Sequence, residues 1–240
     1  MLTVRLLEPQ TPSGSAELLC VLCHGYGAPG DDLVPIGAML QRALPGVAFA
    51  FPEAPLLLPG MPGARAWWHI EISRFERAVR TGSIDELLEE VPSGLVEARR
   101  ALAEVVDGCL RKFSLPYSRL VLGGFSQGSM VSTDLALHLE EAPGALAILS
   151  GTLLARSEWT RLAHKRAGLR VLQSHGHEDP ILPFAAALAL KDLLEHSGVA
   201  LDFAPFHGGH GIPEPVLQKL ALLLSSSLPS HTPAAGRAGA

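Results

Sequence analysis

Cysteine is too scarce here for a disulfide framework: Cys20, Cys23 and Cys109 are the whole complement in 240 residues. Cys20 and Cys23 fall within an apolar run that reads as a central strand. Three positions apart on a strand, their side chains face opposite sides. A redox C-x-x-C would instead open a helix, and a zinc site would need a second ligand pair at matching spacing. Buried structural thiols are expected, and no metal centre or cofactor. No run of 18 or more uninterrupted apolar residues occurs, so no membrane span is expected. The opening Met1-Leu-Thr-Val-Arg-Leu-Leu-Glu-Pro lacks the basic region and apolar core of a secretory leader. Lysine and arginine never gather beyond two or three, and the formal net charge is -5, which argues against a nucleic-acid surface. The expectation is a soluble, cytoplasmic chain.

What the sequence does have is core. Hydrophobic residues make up 48% and charged residues only 18%, and the length suits one large α/β domain. Short apolar runs alternate with helical patterns. Strands are predicted near Thr3–Leu7, Glu17–Cys23, Val47–Phe51, Leu120–Leu122, Ala145–Leu149, Leu169–Ser174 and Ala200–Pro205. A polar, hairpin-like turn around Pro9–Ser15 follows the first, an edge strand. Helices are predicted from Asp32 (a plausible N-cap) to Leu44, from Ser83 to Phe113 with a re-initiation at Pro92-Ser93, and from Gln127 to Leu139. Others are predicted near Glu158–Arg166, Phe184–Ser197 and Pro213–Ser227. Ser83-Ile84-Asp85-Glu86 fits a capping box, and Leu95, Leu102, Val105, Val106, Cys109 and Leu110 recur at helical spacing. A long irregular stretch, Glu53–Ser83, carries Trp67 and Trp68. The alternation implies a mainly parallel sheet with helices on both faces. Residues 1–228 read as one domain, and 229–240 as a disordered tail.

One junction stands out. Leu120-Val121-Leu122 breaks at Gly123-Gly124 and re-forms as a helix after Gly124-Phe125-Ser126-Gln127-Gly128, a G-x-S-x-G pentapeptide between strand and helix. Glycines at both ends permit a turn too tight for a Cβ. Ser126 is then thrust out beside a helix N-terminus, where an oxyanion is stabilised. The bland alternative is an ordinary glycine-rich turn. A serine hydroxyl needs a base, and the base an orienting acid. Suitable residues follow in the order acid, then histidine. His175-Gly176-His177-Glu178-Asp179-Pro180-Ile181-Leu182-Pro183 comes after one strand, and Phe206-His207-Gly208-Gly209-His210-Gly211 after the last. Asp179 lies 53 residues after Ser126, and His210 another 31 on.

These motifs, with His24-Gly25-Tyr26-Gly27, resemble the phospholipase/carboxylesterase family of the α/β-hydrolase superfamily, which includes acyl-protein thioesterases and lysophospholipases. The resemblance covers residues 17 to 225. It implies Ser126 as nucleophile, His210 as general base and acid, and Asp179 as the residue that orients His210. It also implies an oxyanion hole of the Tyr26 and Gln127 backbone N–H groups. It further implies a single-domain α/β-hydrolase fold without a large lid domain. His207 and His177 are rivals for the base, and Glu178 for the acid. His210 is preferred for its flanking glycines and its motif match, Asp179 for its place before Pro180. His207 is then expected to make a strand-end hydrogen bond, Glu178 to be solvated, and His24 to brace the oxyanion loop. Asp192 and Asp202 lie on a helix and a strand and read as surface charges. Serine at 129 departs from the family's usual glycine, and His69 from its usual acidic residue.

An apolar acyl site is expected, with Leu57, Leu58, Trp67, Trp68, Leu153, Leu154 and Ile181 as candidate lining. The functional expectation is a serine hydrolase of carboxylic esters or thioesters, its substrate a small molecule or an acyl-lipid. A serine peptidase of the same superfamily would usually carry an extra domain for which there is no room. A non-catalytic binding protein on the same fold is the alternative from another class. An exposed apolar rim could serve a homodimer or membrane contact.

Overall fold

The computed structural model describes residues 2–71, 77, 81 and 84–229. Ser83 of the expected capping box and residues 230–240 of the expected tail lie outside them. The centre is a seven-stranded sheet. Its strands are β1 (Val4–Leu7), β2 (Leu18–Cys23), β3 (Val47–Pro52), β6 (Leu120–Phe125), β7 (Ala145–Leu149), β8 (Arg170–Gly176) and β9 (Ala200–Phe206), in the order β1-β3-β2-β6-β7-β8-β9. A separate two-stranded ribbon, β4 (Leu56–Leu57) with β5 (Arg65–Ala66), interrupts the segment expected to be irregular.

All pairings in the large sheet are parallel except β1 with β3. The polar turn after β1 suggests a hairpin with β2, but β2 is buried along its whole length. Such a strand needs neighbours on both sides and helices on both faces. It takes β3 and β6 as partners and leaves β1, none of whose residues is fully buried, to close the edge beyond β3.

Each buried strand alternates between two cores. Leu19, Val21 and Cys23 of β2 face one apolar cluster, while Leu18, Cys20 and Leu22 face the other. The first core is covered by α3 (Leu95–Phe113), α4 (Gln127–His138), α5 (Arg156–Ala163) and α6 (Phe184–His196). The second is covered by α1 (Val34–Ala43) and α7 (Glu214–Ser225). The two strand cysteines lie in opposite cores, as their spacing requires. No aspartate caps α1: its N-cap is Leu33, with no side-chain hydrogen bond, and Pro35 stands in its first turn. The helical stretch after Ser83 is two helices, α2 (Ile84–Glu89) and α3, with the re-initiation expected at Pro92-Ser93 falling at Gly94, which stands in left-handed conformation.

The chain moves from β2 toward β3 on one side and, after β6, toward β7 on the other. The connections leaving the carboxyl ends of β2 and β6 therefore part to opposite faces and open a crevice. Helix α4 begins beside that crevice and is buried from Gln127 to Leu137. A helix surrounded on every side must satisfy its polar groups internally. Ser132 Oγ donates to the Gly123 carbonyl (2.8 Å), and Thr133 Oγ1 to that of Ser129 (2.8 Å). The Asp134 carboxylate accepts from the Arg99 guanidinium (2.9 Å) and the Trp159 indole N–H (2.9 Å). Burial raises the Asp134 pKa, against the pull of Trp159 and Arg99 in the other direction.

Candidate active site

Ser126 stands between β6 and α4 with φ 53 and ψ -123, a backbone that L-residues rarely adopt. Such strain persists only where neighbours over-determine it. Here they do. The Ser126 N–H donates to the Leu149 carbonyl at 2.8 Å, and the first turn of α4 closes on the Ser126 carbonyl through Ser129 and Met130. A Cβ at Gly124 would come within 2.5 Å of the Cys23 carbonyl oxygen, and one at Gly128 within 2.1 Å. Both glycines of the pentapeptide are thus required by close approach to β2. Ser129 donates its hydroxyl to the Ser126 carbonyl (2.8 Å) and packs against Gly151, so the turn accommodates that serine.

The loop after β2 lies across the crevice from Ser126. The Tyr26 and Gln127 N–H groups meet no acceptor among the described residues. His24 braces this loop. Its Nε2 accepts the Ala54 N–H (3.0 Å), which leaves Nδ1 to donate to the Gly25 carbonyl (2.8 Å). Burial lowers its pKa, consistent with a neutral ring in that tautomer. Trp67 donates its indole N–H to the His24 carbonyl (2.9 Å). Gln127 then ties the tryptophan segment to α4: Oε1 accepts the Trp67 N–H and Nε2 donates to the Trp68 carbonyl, both at 2.9 Å. Gln127→Ala is expected to leave a buried N–H and a buried carbonyl unpaired and to destabilise the fold by about 1–3 kcal/mol, read from the midpoint of urea unfolding at constant m.

Asp179 and His210 meet although 31 residues separate them: His210 Nδ1 lies 2.7 Å from Asp179 Oδ2. The other carboxylate oxygen accepts the N–H groups of Ile181 (2.8 Å) and Leu182 (2.9 Å). Burial would raise the Asp179 pKa, but the His210 bond and these two backbone donors outweigh it and hold the carboxyl below its ordinary range. The His210 ring, nearly buried, packs on Phe125, the residue before Ser126, with centroids 4.7 Å apart. His175, invisible to the motif reading as more than a loop marker, is fully buried beneath Asp179. Its Nε2 donates to the Leu182 carbonyl (2.8 Å) and lies 3.3 Å from Asp179 Oδ2. Burial lowers its pKa, so it packs there as a neutral ring. The rivals lie outside this arrangement. His207 is 93% exposed, with no bond at its strand end but its Nδ1 3.6 Å from Glu178 Oε1. Glu178 is exposed, and Asp192 and Asp202 pair on the surface with Lys191 and Lys219.

A cavity of about 210 Å³ opens between α2, the start of α4 and the loops after β7 and β8. Its apolar wall includes Trp68, Leu88, Met130, Leu153, Leu154 and Leu182. Of the expected lining, Trp68, Leu153 and Leu154 are there. Leu57, Leu58, Trp67 and Ile181 are not. Leu57 is on the ribbon and 62% exposed, while Leu58 packs with Ala64, Ala66 and Tyr26. Trp67 is spent on the brace just described. Ile181 is turned outward because the N–H groups of 181 and 182 both bond Asp179, which leaves Leu182 to face inward. Met130 lies in the first turn of α4, where its N–H donates to the Ser126 carbonyl; its place four residues after the serine was the available signal for it.

Residues 7–228 match the sequence model of the phospholipase/carboxylesterase family. The chain is 26% identical to acyl-protein thioesterase 1 of Eremothecium gossypii over 227 residues, 91% of this chain and 92% of that one. It is 27% identical to carboxylesterase SOBER1 of Arabidopsis thaliana over 204 residues, 82% of this chain and 85% of that one. Among solved structures, esterase PE8 superposes with a TM-score of 0.80 at 25% identity, covering 95% of this chain and 99% of that one. The SOBER1 crystal structure gives 0.71 at 22%, covering 88% and 99%.

Proposed function

The chain belongs to the phospholipase/carboxylesterase family, and on that premise we propose that it hydrolyses carboxylic esters or thioesters through Ser126, His210, Asp179 and an acyl-enzyme. The observation that carries this is the 2.7 Å contact of His210 Nδ1 with the Asp179 carboxylate, the His210 ring lying on Phe125 beside the strained Ser126. With Nδ1 donating to Asp179, Nε2 is left as the base. Ser126 Oγ forms a bond to the acyl carbon as its proton passes to His210 Nε2, and the carbonyl electrons move onto oxygen. The Tyr26 and Gln127 N–H groups, spared from other bonds, receive that oxyanion without reorganisation. Collapse of the tetrahedral species breaks the bond to the leaving oxygen or sulfur, which takes the proton from His210. Water, deprotonated by the same nitrogen, then attacks the acyl-enzyme and restores Ser126.

The cavity beside Met130 accepts the apolar part of the substrate.

The test pairs hydrolysis of p-nitrophenyl acetate, butyrate and octanoate with fluorophosphonate labelling, in wild type and Ser126→Ala. Turnover and a phosphonyl adduct mapped by mass spectrometry to Ser126 are expected of the wild type, and neither of the variant. A folded wild type that shows neither, or a label on another residue, would sink the reading.

A further inference from the structure

The loop that carries His210 has almost no apolar substance to hold it. Between Phe206 and Gly211 stand His207, Gly208, Gly209 and His210, with His207 93% exposed and Gly208 at φ 141, a region nearly closed to other residues. Two adjacent glycines leave the backbone free to wander unless hydrogen bonds fix it. One anchor lies on the far side, where Ser150 Oγ donates to the Gly211 carbonyl at 3.0 Å. The others come from the loop that carries the acid. The His177 N–H donates to the Phe206 carbonyl (2.9 Å) and the Glu178 N–H to the Gly208 carbonyl (3.1 Å). The Gly208 N–H returns a bond to the Glu178 carboxylate. Residue 178 therefore holds both polar groups of residue 208, one through its backbone and one through its side chain. The two loops touch closely enough that a Cβ at Gly176 would fall 2.3 Å from the Gly209 carbonyl oxygen.

We propose that Glu178 is a positioning residue for the reaction: by accepting the Gly208 N–H, its carboxylate fixes the peptide two positions before His210 and so sets where the imidazole stands relative to Ser126. The exposed carboxylate that the sequence presents as a solvated charge is thus a clamp between the acid loop and the base loop. Its acceptor is ionised for the task, since the Gly208 N–H, ahead of the His207 ring, draws the Glu178 pKa below its ordinary value. The backbone bond from the Glu178 N–H cannot do this alone. It fixes the Gly208 carbonyl but leaves its N–H, and with it the peptide joining 207 to 208, free to rotate. The inference rests on the hydrolase reading, because it assigns His210 the work of a base. A shift of this kind acts on the rate rather than on binding, since the acyl pocket is built from other elements.

The experiment compares wild type, Glu178→Ala and Glu178→Gln as full-length proteins. It reads kcat and KM on p-nitrophenyl butyrate, hydrogen exchange in the peptide spanning 206–211, and thermal unfolding. Glu178→Ala is expected to lower kcat by about tenfold with KM unchanged, and to speed exchange in that peptide. Glu178→Gln keeps a carbonyl oxygen in place and recovers most of both. Unfolding temperature stays the same throughout, because the clamp is at the surface. The clamp is overturned by a wild-type kcat in an active Glu178→Ala, by equal loss in both variants, or by lost kcat without faster exchange. A wild type that does not turn over overturns the hydrolase reading itself and the role in catalysis with it, a result distinct from any of these.

Discussion

Asp179→Asn is expected to lower kcat by about 10⁴-fold while the protein stays folded. The reason lies in how the two carboxylate oxygens are used. One accepts two backbone N–H groups, from Ile181 and Leu182, so only an oxygen can stand there. In asparagine the amide NH₂ must then take the other position, 2.7 Å from His210 Nδ1. A donor facing Nδ1 demands a lone pair on it, and the ring proton moves to Nε2. The nitrogen that should accept the Ser126 proton then already carries one. The fluorophosphonate reaction should slow in parallel with turnover, since it needs the same base, while KM changes little. Stability gives a second readout. The folded-state Asp179 carboxyl lies below its ordinary value, so its ionised form stabilises the fold above the unfolded-state pKa of about 3.9. That contribution fades as pH falls through the folded-state value, and asparagine lacks the pH dependence altogether. A near wild-type kcat in Asp179→Asn would show that His210 does not depend on this carboxylate for its tautomer.

Gly128→Ala is expected to abolish soluble, active protein or to destabilise it by more than about 3 kcal/mol. The added carbon would sit 2.1 Å from the Cys23 carbonyl oxygen and 2.4 Å from that of His24. Both are backbone atoms of the central strand and its loop, so no side chain can swing aside. Relief would require α4 to move away from β2, and α4 is buried on all sides. Equilibrium unfolding in urea measures the change, with Gly211→Ala as the control. No heavy atom lies within 4 Å of the Cβ at that site, and the substitution should be close to neutral in stability.

The architecture and the chemistry were legible in the sequence to different degrees. Strand–helix alternation and the fully apolar Leu18–Cys23 run imply a parallel sheet covered twice. The placement of β1 beside β3 is not local information: it follows from which strands must be covered on both sides, a competition among all of them that the short β1 loses. Ser126, Asp179 and His210 could be singled out as candidates because their motifs are short and contiguous. The lining of the cavity could not be. Whether Trp67 or Trp68, Ile181 or Leu182, faces the cavity turns on single backbone hydrogen bonds, and a step of one residue reverses a side chain. His175, Gln127 and Glu178 share another difficulty. Gln127 and Glu178 act on partners far away in sequence, and His175 acts within its own loop through a fold of the backbone that residue type does not announce, so none of the three carries a mark of the task. The Asp134–Arg99–Trp159 group was hidden for the same reason.

The burial of α4 bears on how the protein would lose activity. A nucleophile on a mobile loop can be disarmed by a small local opening, long before the rest of the molecule is disturbed. Ser126 has no such exit. The helix it starts carries a carboxylate joined to two other helices through Arg99 and Trp159, and hydroxyls joined to its own strand and first turn. To free the serine backbone from its strained angles, those internal bonds must be given up together. If Ser126 is the nucleophile proposed above, heat or denaturant is expected to remove activity and fold in one event, read as coincident loss of turnover and of far-UV circular dichroism.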